Sequence, residues 1–286
     1  MKKFRKRGKF LCIAIAGMLA FGDCATCSVY ASQPLSSDMS FAETSDDISA
    51  EPTDKAETTG ITGAADIVQL TDEQLAEYYG DSVFIGDSIM QGFQNYSAKK
   101  DTFVHDIEFL AAVSYSANNA LKAVNDKIPH PKYKGKKYHL WDVLPLLDKK
   151  RAFILLGTND LVSMGIEKSR DKYKELIDKV LEKSPDLEIH IISVTYTRKD
   201  KEKGCLCNSN IDMYNDLLQE MADENGWRYI DLCTPISDGE GNLAKDYCSD
   251  GFVHLTNAAY TLWEAELINY ANAMQMEKEA ETVCIP

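Results

Sequence analysis

The stretch Val83-Phe84-Ile85-Gly86-Asp87-Ser88-Ile89 decides how the chain is read. Three apolar residues make a compact strand, a glycine ends it, and a hydroxyl opens the helical spacing that runs on from Met90. Working outward, the same alternation recurs. Further apolar runs occupy residues 107–113, 153–156, 189–194 and 227–232, with helical spacing over 117–124, 141–147, 170–182, 211–224 and 257–274. Upstream, Thr71-x-x-Gln74 is a capping-box pattern that predicts a short helix to Tyr79. Strands that are apolar along their whole length are covered on both faces, which means a parallel sheet between two helical layers. The expected fold is therefore α/β, a single three-layer sandwich over residues 70–276, with no internal repeat and a C-terminal tail over 277–286.

The rest of the composition bounds the function. With 44% hydrophobic and 27% charged side chains, the 286 residues are neither collagenous, coiled-coil nor wholly disordered. The net charge is −14 and uneven. Residues 1–31 hold six basic side chains and only one acid, Asp23, and the remainder carries 25 basic against 44 acidic residues, or −19. So acidic a surface repels nucleic acid and anionic lipid. The basic start, the apolar run over 10–22 and Val29-Tyr30-Ala31 have the form of a secretory signal cut after Ala31. The apolar run is shorter than the roughly 20 residues a spanning helix needs, so no stable membrane insertion is expected after cleavage. Asp23 and Thr26 argue against lipid attachment at Cys24 or Cys27. Residues 32–69, rich in Ser, Thr, Asp and Glu, read as a flexible acidic spacer. A secreted, extracellular protein is expected.

Five cysteines follow the signal: Cys205, Cys207, Cys233, Cys248 and Cys284. Their odd number leaves at least one thiol free, and sequence does not choose a pairing. With no CxxC pair and no histidine cluster, no metal site is expected.

Ligands of open parallel sheets sit beyond the carboxyl ends of the strands. The polar residues expected there are Gly86-Asp87-Ser88, Gly157-Thr158-Asn159-Asp160 and the late Asp250-Gly251-Phe252-Val253-His254-Leu255-Thr256. Ser88 sits where helix-start N–H groups favour a developing negative charge, although a hydroxyl there is also an ordinary helix cap. Asn159 offers a side-chain donor, or merely forms a turn. His254 is held before a helix that Thr256 can cap, and Asp250 can orient and stabilise an imidazolium. His105, His130, His139 and His190 lie at no strand's carboxyl end and are read as structural. The basic, aromatic insert over 129–138 is read first as a solvated loop packed on the following helix, and second as a rim for an anionic or sugar ligand.

Taken together, Phe84-Ile85-Gly86-Asp87-Ser88-Ile89, Gly157-Thr158-Asn159-Asp160 and the late Asp with His254-Leu255-Thr256 resemble the SGNH hydrolases, the GDSL esterase/lipase superfamily, over residues 80–275. The resemblance implies a flavodoxin-like five-stranded parallel sheet of order 2-1-3-4-5. It implies Ser88 as nucleophile, His254 as base with an acid before it, and an oxyanion hole from the backbone N–H groups of Ser88 and Ser114 and the side chain of Asn159. Asp87 and Asp160 would be structural, tying down their turns. Two departures stand out. Ser114 occupies the family's second-motif glycine, with Val113 as the alternative register, and its side chain is expected to crowd the hole. The family spaces its acid and histidine as D-x-x-H, whereas three residues separate Asp250 from His254. Either the loop bulges to bring Asp250 into place, or a backbone carbonyl orients the ring of a dyad.

The resulting expectation is an exported serine esterase, without cofactor, acting as a monomer on short acyl esters, acetyl first, of small molecules or of carbohydrate and cell-envelope polymers. The alternatives are an O-acyltransferase using the same acyl-enzyme, and a non-catalytic surface module binding glycan through Tyr133, Tyr138 and Trp141.

Overall fold

Alternate residues along the strands face opposite ways, and that alternation divides the core in two. The computed structural model describes residues 69–283. The expected signal over 1–31 and the spacer up to residue 68 lie outside the described residues. The main sheet comprises β1 (Ser82–Gly86), β2 (Glu108–Ala111), β5 (Arg151–Leu155), β6 (Glu188–Ile192) and β7 (Arg228–Ile230), all paired in parallel in the order β2-β1-β5-β6-β7. A small antiparallel hairpin, β3 (Lys132–Tyr133) with β4 (Lys136–Lys137), takes the two intervening numbers, so the sheet has the predicted flavodoxin-like order 2-1-3-4-5.

One face carries Val83, Ile85, Ala152, Ile154, Ile189 and Ile191. Against it pack α3 (Ala117–Ala120), α4 (Leu140–Leu147), α6 (Ile166–Leu181) and α7 (Asn208–Asn225). The other face carries Phe84, Phe153, Leu155, Ile192 and Ile230, covered by α1 (Asp72–Gly80), α2 (Ser88–Ser97) and α8 (Asn257–Val283). There the Phe84 and Phe153 rings stack with centroids 4.6 Å apart, and the fully buried Trp263 of α8 donates Nε1–H to Leu232 O at 2.8 Å. Helix α1 carries the predicted box, with Thr71 and Gln74 capping each other reciprocally. A short α5 (Thr158–Met164) follows β5 at the carboxyl edge.

Three local features differ from the sequence reading. The helix expected over 117–124 is a single turn ending at Ala120, and further on the Asn125 side chain accepts from Lys127 and Ile128 N–H and closes a separate turn. The basic insert folds as the β3–β4 hairpin, with Lys134 and Gly135 both at positive φ, as a type I′ turn requires. The last helix runs past Met274, through most of the expected tail, to Val283.

Among the described residues Cys205, Cys207, Cys233 and Cys248 are free thiols. No helix there is long and apolar enough to cross a membrane.

Candidate active site

Gly86 ends β1 where no side chain fits: a Cβ would stand 2.6 Å from that of Met90 and 2.8 Å from Leu155 O. The chain turns there, buried Asp87 caps α2 by accepting from Ile89 N–H at 2.9 Å, and Ser88 becomes the first helical residue. Its hydroxyl is half-buried at the carboxyl edge of the sheet. Across the edge, His254 Nε2 lies 3.0 Å from Ser88 Oγ, and His254 Nδ1 lies 2.6 Å from Asp250 Oδ2. With Nδ1–H donated to the carboxylate, Nε2 is left to accept the serine proton.

The departure in spacing is resolved by the loop's own hydrogen bonds. Asp250 Oδ1 accepts from the N–H groups of Phe252 at 2.8 Å, Val253 at 3.0 Å and His254 at 3.2 Å, while Gly251 adopts φ 71°. The extra residue is absorbed in this turn, and the Asp250 carboxylate reaches the imidazole. Burial pushes the Asp250 carboxyl up, but the hydrogen bonds from the His254 ring and these three amides outweigh it and hold the group well below the usual carboxylate range. Thr256 accepts from Ala259 N–H at the start of α8, fixing the loop's other end.

Asn159, in the first turn of α5, donates both side-chain protons at rest, to Asp87 Oδ2 at 3.0 Å and to Tyr115 O at 3.1 Å. Donation to an oxyanion therefore requires a shared proton or release of one partner. Ser114 is at φ 59°, a left-handed conformation in which glycine is the ordinary residue. Val113, by contrast, is not at positive φ and is 60% exposed. Its side chain is exposed, and its carbonyl accepts from Asn119 Nδ2 at 3.2 Å.

The two other aspartates hold the frame. Burial pushes the Asp87 carboxyl up to about 6, against the opposing pull of Ile89 N–H, His254 and Asn159. Asp160 is also shifted up by burial, and accepts from Ala117 N–H at 2.9 Å and Asn118 N–H at 3.0 Å, tying α3 to α5.

The remaining histidines stay away. His190 is buried on Phe153 with ring centroids 4.4 Å apart and hydrogen-bonds Tyr270, and His130 is buried beside His139, itself stacked on Trp141 at 4.2 Å. Tyr133, Tyr138 and Trp141 are half-buried against the core. A groove of about 660 Å³ lined by Arg151, His190, Trp227 and Arg228 lies at the opposite edge, where β5, β6 and β7 begin.

Sequence reasoning missed several neighbours of the site. Phe252 sits beside the Asp250–His254 turn, with Lys203 Nζ 4.0 Å from its ring centroid, and Cys248 donates its thiol to Asp250 Oδ1 at 3.5 Å. Nothing in the local pattern marks these residues, because their roles arise from loops that meet only in the fold.

The model of the GDSL-like Lipase/Acylhydrolase family matches residues 84–262. The chain belongs to this family. GDSL-like enzymes of this kind hydrolyse ester bonds, and the protein is an ester-bond hydrolase. Similar solved structures include a GDSL-like lipase from Bacteroides thetaiotaomicron, 19% identical, covering 68% of this chain and 88% of that one, with a TM-score of 0.52. A Bacteroides fragilis protein described as an acylhydrolase is 16% identical, with 74% and 92% covered and a TM-score of 0.52. A Streptococcus pneumonia protein described as a platelet activating factor is 20% identical, with 70% and 92% covered and a TM-score of 0.51. At these identities the likeness establishes the fold. No curated protein matches the chain.

Proposed function

We propose that this GDSL hydrolase is an exported serine esterase that releases short acyl groups, acetyl first, from small-molecule, carbohydrate or cell-envelope esters. The observation that carries the reading is the unbroken hydrogen-bonded series Asp250–His254–Ser88 at the carboxyl edge of the sheet. In this mechanism Ser88 Oγ attacks the ester carbonyl as His254 Nε2 takes its proton, and Asp250 stabilises the imidazolium. The oxyanion is met by the N–H groups of Ser88 and Ser114, neither of which has an acceptor among the described residues, and by Asn159 Nδ2 once it is shared from Asp87 or Tyr115. His254 then protonates the leaving alcohol, and water, activated by the same ring, releases the acid. The Ser114 side chain beside the hole supports a small acyl group, and the sequence pattern of residues 1–31 supports export.

The test is turnover of 4-nitrophenyl acetate with labelling by a fluorophosphonate probe read by mass spectrometry. The expected result is a label on Ser88 and loss of nearly all turnover in Ser88→Ala with the fold retained by circular dichroism. Wild-type turnover in that variant removes the serine assignment. N-terminal sequencing of protein from the culture medium, expected to begin at Ser32, tests export.

A further inference from the structure

The net field of an acidic chain repels anionic substrates, yet the segment packed against Phe252 of the His254 loop carries a local excess of cations. The segment from Arg198 to Lys203 carries four cations, Arg198, Lys199, Lys201 and Lys203, against two acids, Asp200 and Glu202. Three of these six charges are already engaged. Arg198 donates its N–H to Phe252 O at 2.7 Å and a guanidinium N–H to Leu243 O. Lys199 pairs with Glu240 at 3.4 Å. Glu202 accepts from Asn208 N–H at 2.7 Å at the start of α7.

Lys203 differs. Its backbone is fixed by reciprocal hydrogen bonds with Leu206, each 3.0 Å. No carboxylate among the described residues pairs with its ammonium. Instead the ammonium rests 4.0 Å from the centroid of the Phe252 ring, a weak partner that an anion readily replaces. Phe252 donates its N–H to Asp250 Oδ1 within the turn that carries His254, so Lys203 packs on a residue of the loop that presents the imidazole. A Cβ on the adjoining Gly204 would stand 4.0 Å from Val162 O, so this loop also borders α5, the helix that carries Asn159.

We infer that Lys203 makes the enzyme prefer esters whose leaving alcohol carries an anionic group. The inference rests on the Ser88–His254 reading, because the imidazolium must reach the leaving oxygen, which puts the alcohol rather than the acyl group on this side. An ammonium is a compact charge with three donors that accepts a carboxylate, a sulfate or a phosphate. Such a contact, remote from the reacting carbon, acts equally on ground and transition states and shows in KM.

The experiment compares kcat and KM of the purified protein on 4-acetoxybenzoate, 4-acetoxyphenyl phosphate and the neutral 4-acetoxybenzamide. Lys203→Met keeps the stem on Phe252 and removes the charge. It is expected to lower the anion-to-amide ratio of kcat/KM by about tenfold, through KM, while Lys203→Arg retains the ratio. Raising ionic strength to about 1 M, where the screening length is about 3 Å, should bring the wild-type ratio toward that of Lys203→Met. A greater fall with the phosphate assigns a dianion, and equal falls assign any anion. An unchanged ratio in Lys203→Met overturns the inference. Loss of amide-ester turnover in Ser88→Ala upholds the esterase reading whichever way the ratio falls. Turnover that survives Ser88→Ala overturns both.

Discussion

Asp250 divides its work between two oxygens: Oδ1 gathers three backbone N–H groups of its own turn, and Oδ2 takes the His254 ring. An asparagine there keeps an oxygen for the turn but presents an amide where the ring's proton was accepted. Asp250→Asn should therefore fold normally while losing turnover on the order of 10⁴, the loss seen when the acid of a serine triad is amidated. The check is the esterase rate beside His254→Ala, and a nearly active Asp250→Asn leaves a dyad. Asn159 is a second residue whose variant is informative. As an oxyanion donor it is worth about 2.7–4 kcal/mol, so Asn159→Ala should lower kcat by roughly 10²–10³ with little change in KM. A change confined to KM would make it a substrate-binding residue. Ser88 and Asn159 were candidates in the sequence because each follows an apolar run, and Asp250 and His254 because they precede the last helix. Which group orients His254 was not legible, since that depends on Gly251 taking φ 71° and folding the extra residue into a turn.

Elements were read most securely where burial is two-sided. The five main strands follow from apolar runs whose alternate residues serve opposite cores, a pattern that leaves little room for another assignment. The hairpin over Lys132 to Lys137 was not legible because Lys134-Gly135 stands where the turn signal is normally Asn-Gly or Asp-Gly. The packing of α2 on α8 was likewise invisible in sequence. A Cβ on Gly92 would lie 2.1 Å from the Tyr260 hydroxyl, which donates to Ile89 O at 2.8 Å. Gly92→Ala should therefore cost about 1–3 kcal/mol through overpacking, despite the better helix propensity of alanine. Tyr260→Phe alone should cost about 1 kcal/mol for the lost hydrogen bond. Because the closest clash is with the deleted oxygen, leaving the ring's Cζ at 3.0 Å, the double variant should be more stable than the sum of the two losses predicts. Strict additivity in urea unfolding would show that the two helices shift apart instead.

At the scale of the whole molecule, the site is assembled by long-range contacts: Ser88 and His254 are 166 residues apart, and Asp87 and Asn159 are 72 apart. The fold must hold Asp87 dry to bring them together, and that links stability to pH. Burial raises the Asp87 carboxyl from 3.8 to about 6, so the native state keeps a proton that the unfolded chain releases. The contribution is complete below the unfolded value and is lost as pH rises through about 6, a change of roughly 3 kcal/mol for two pH units. Asp250 has the opposite sign, because its lowered carboxyl adds stability above the unfolded value that fades as pH falls. Asp87→Asn has no proton to lose at this position and leaves the Asp250 dependence in place. Urea unfolding of both proteins at about pH 4 and about pH 7 isolates the Asp87 contribution as the difference between them. The wild type should lose stability relative to Asp87→Asn as pH rises between these values. A difference that stays constant would mean that Asp87 titrates near its unfolded value, and that the buried frame behind Ser88 is better solvated than the packing around Ile89 and Asn159 implies.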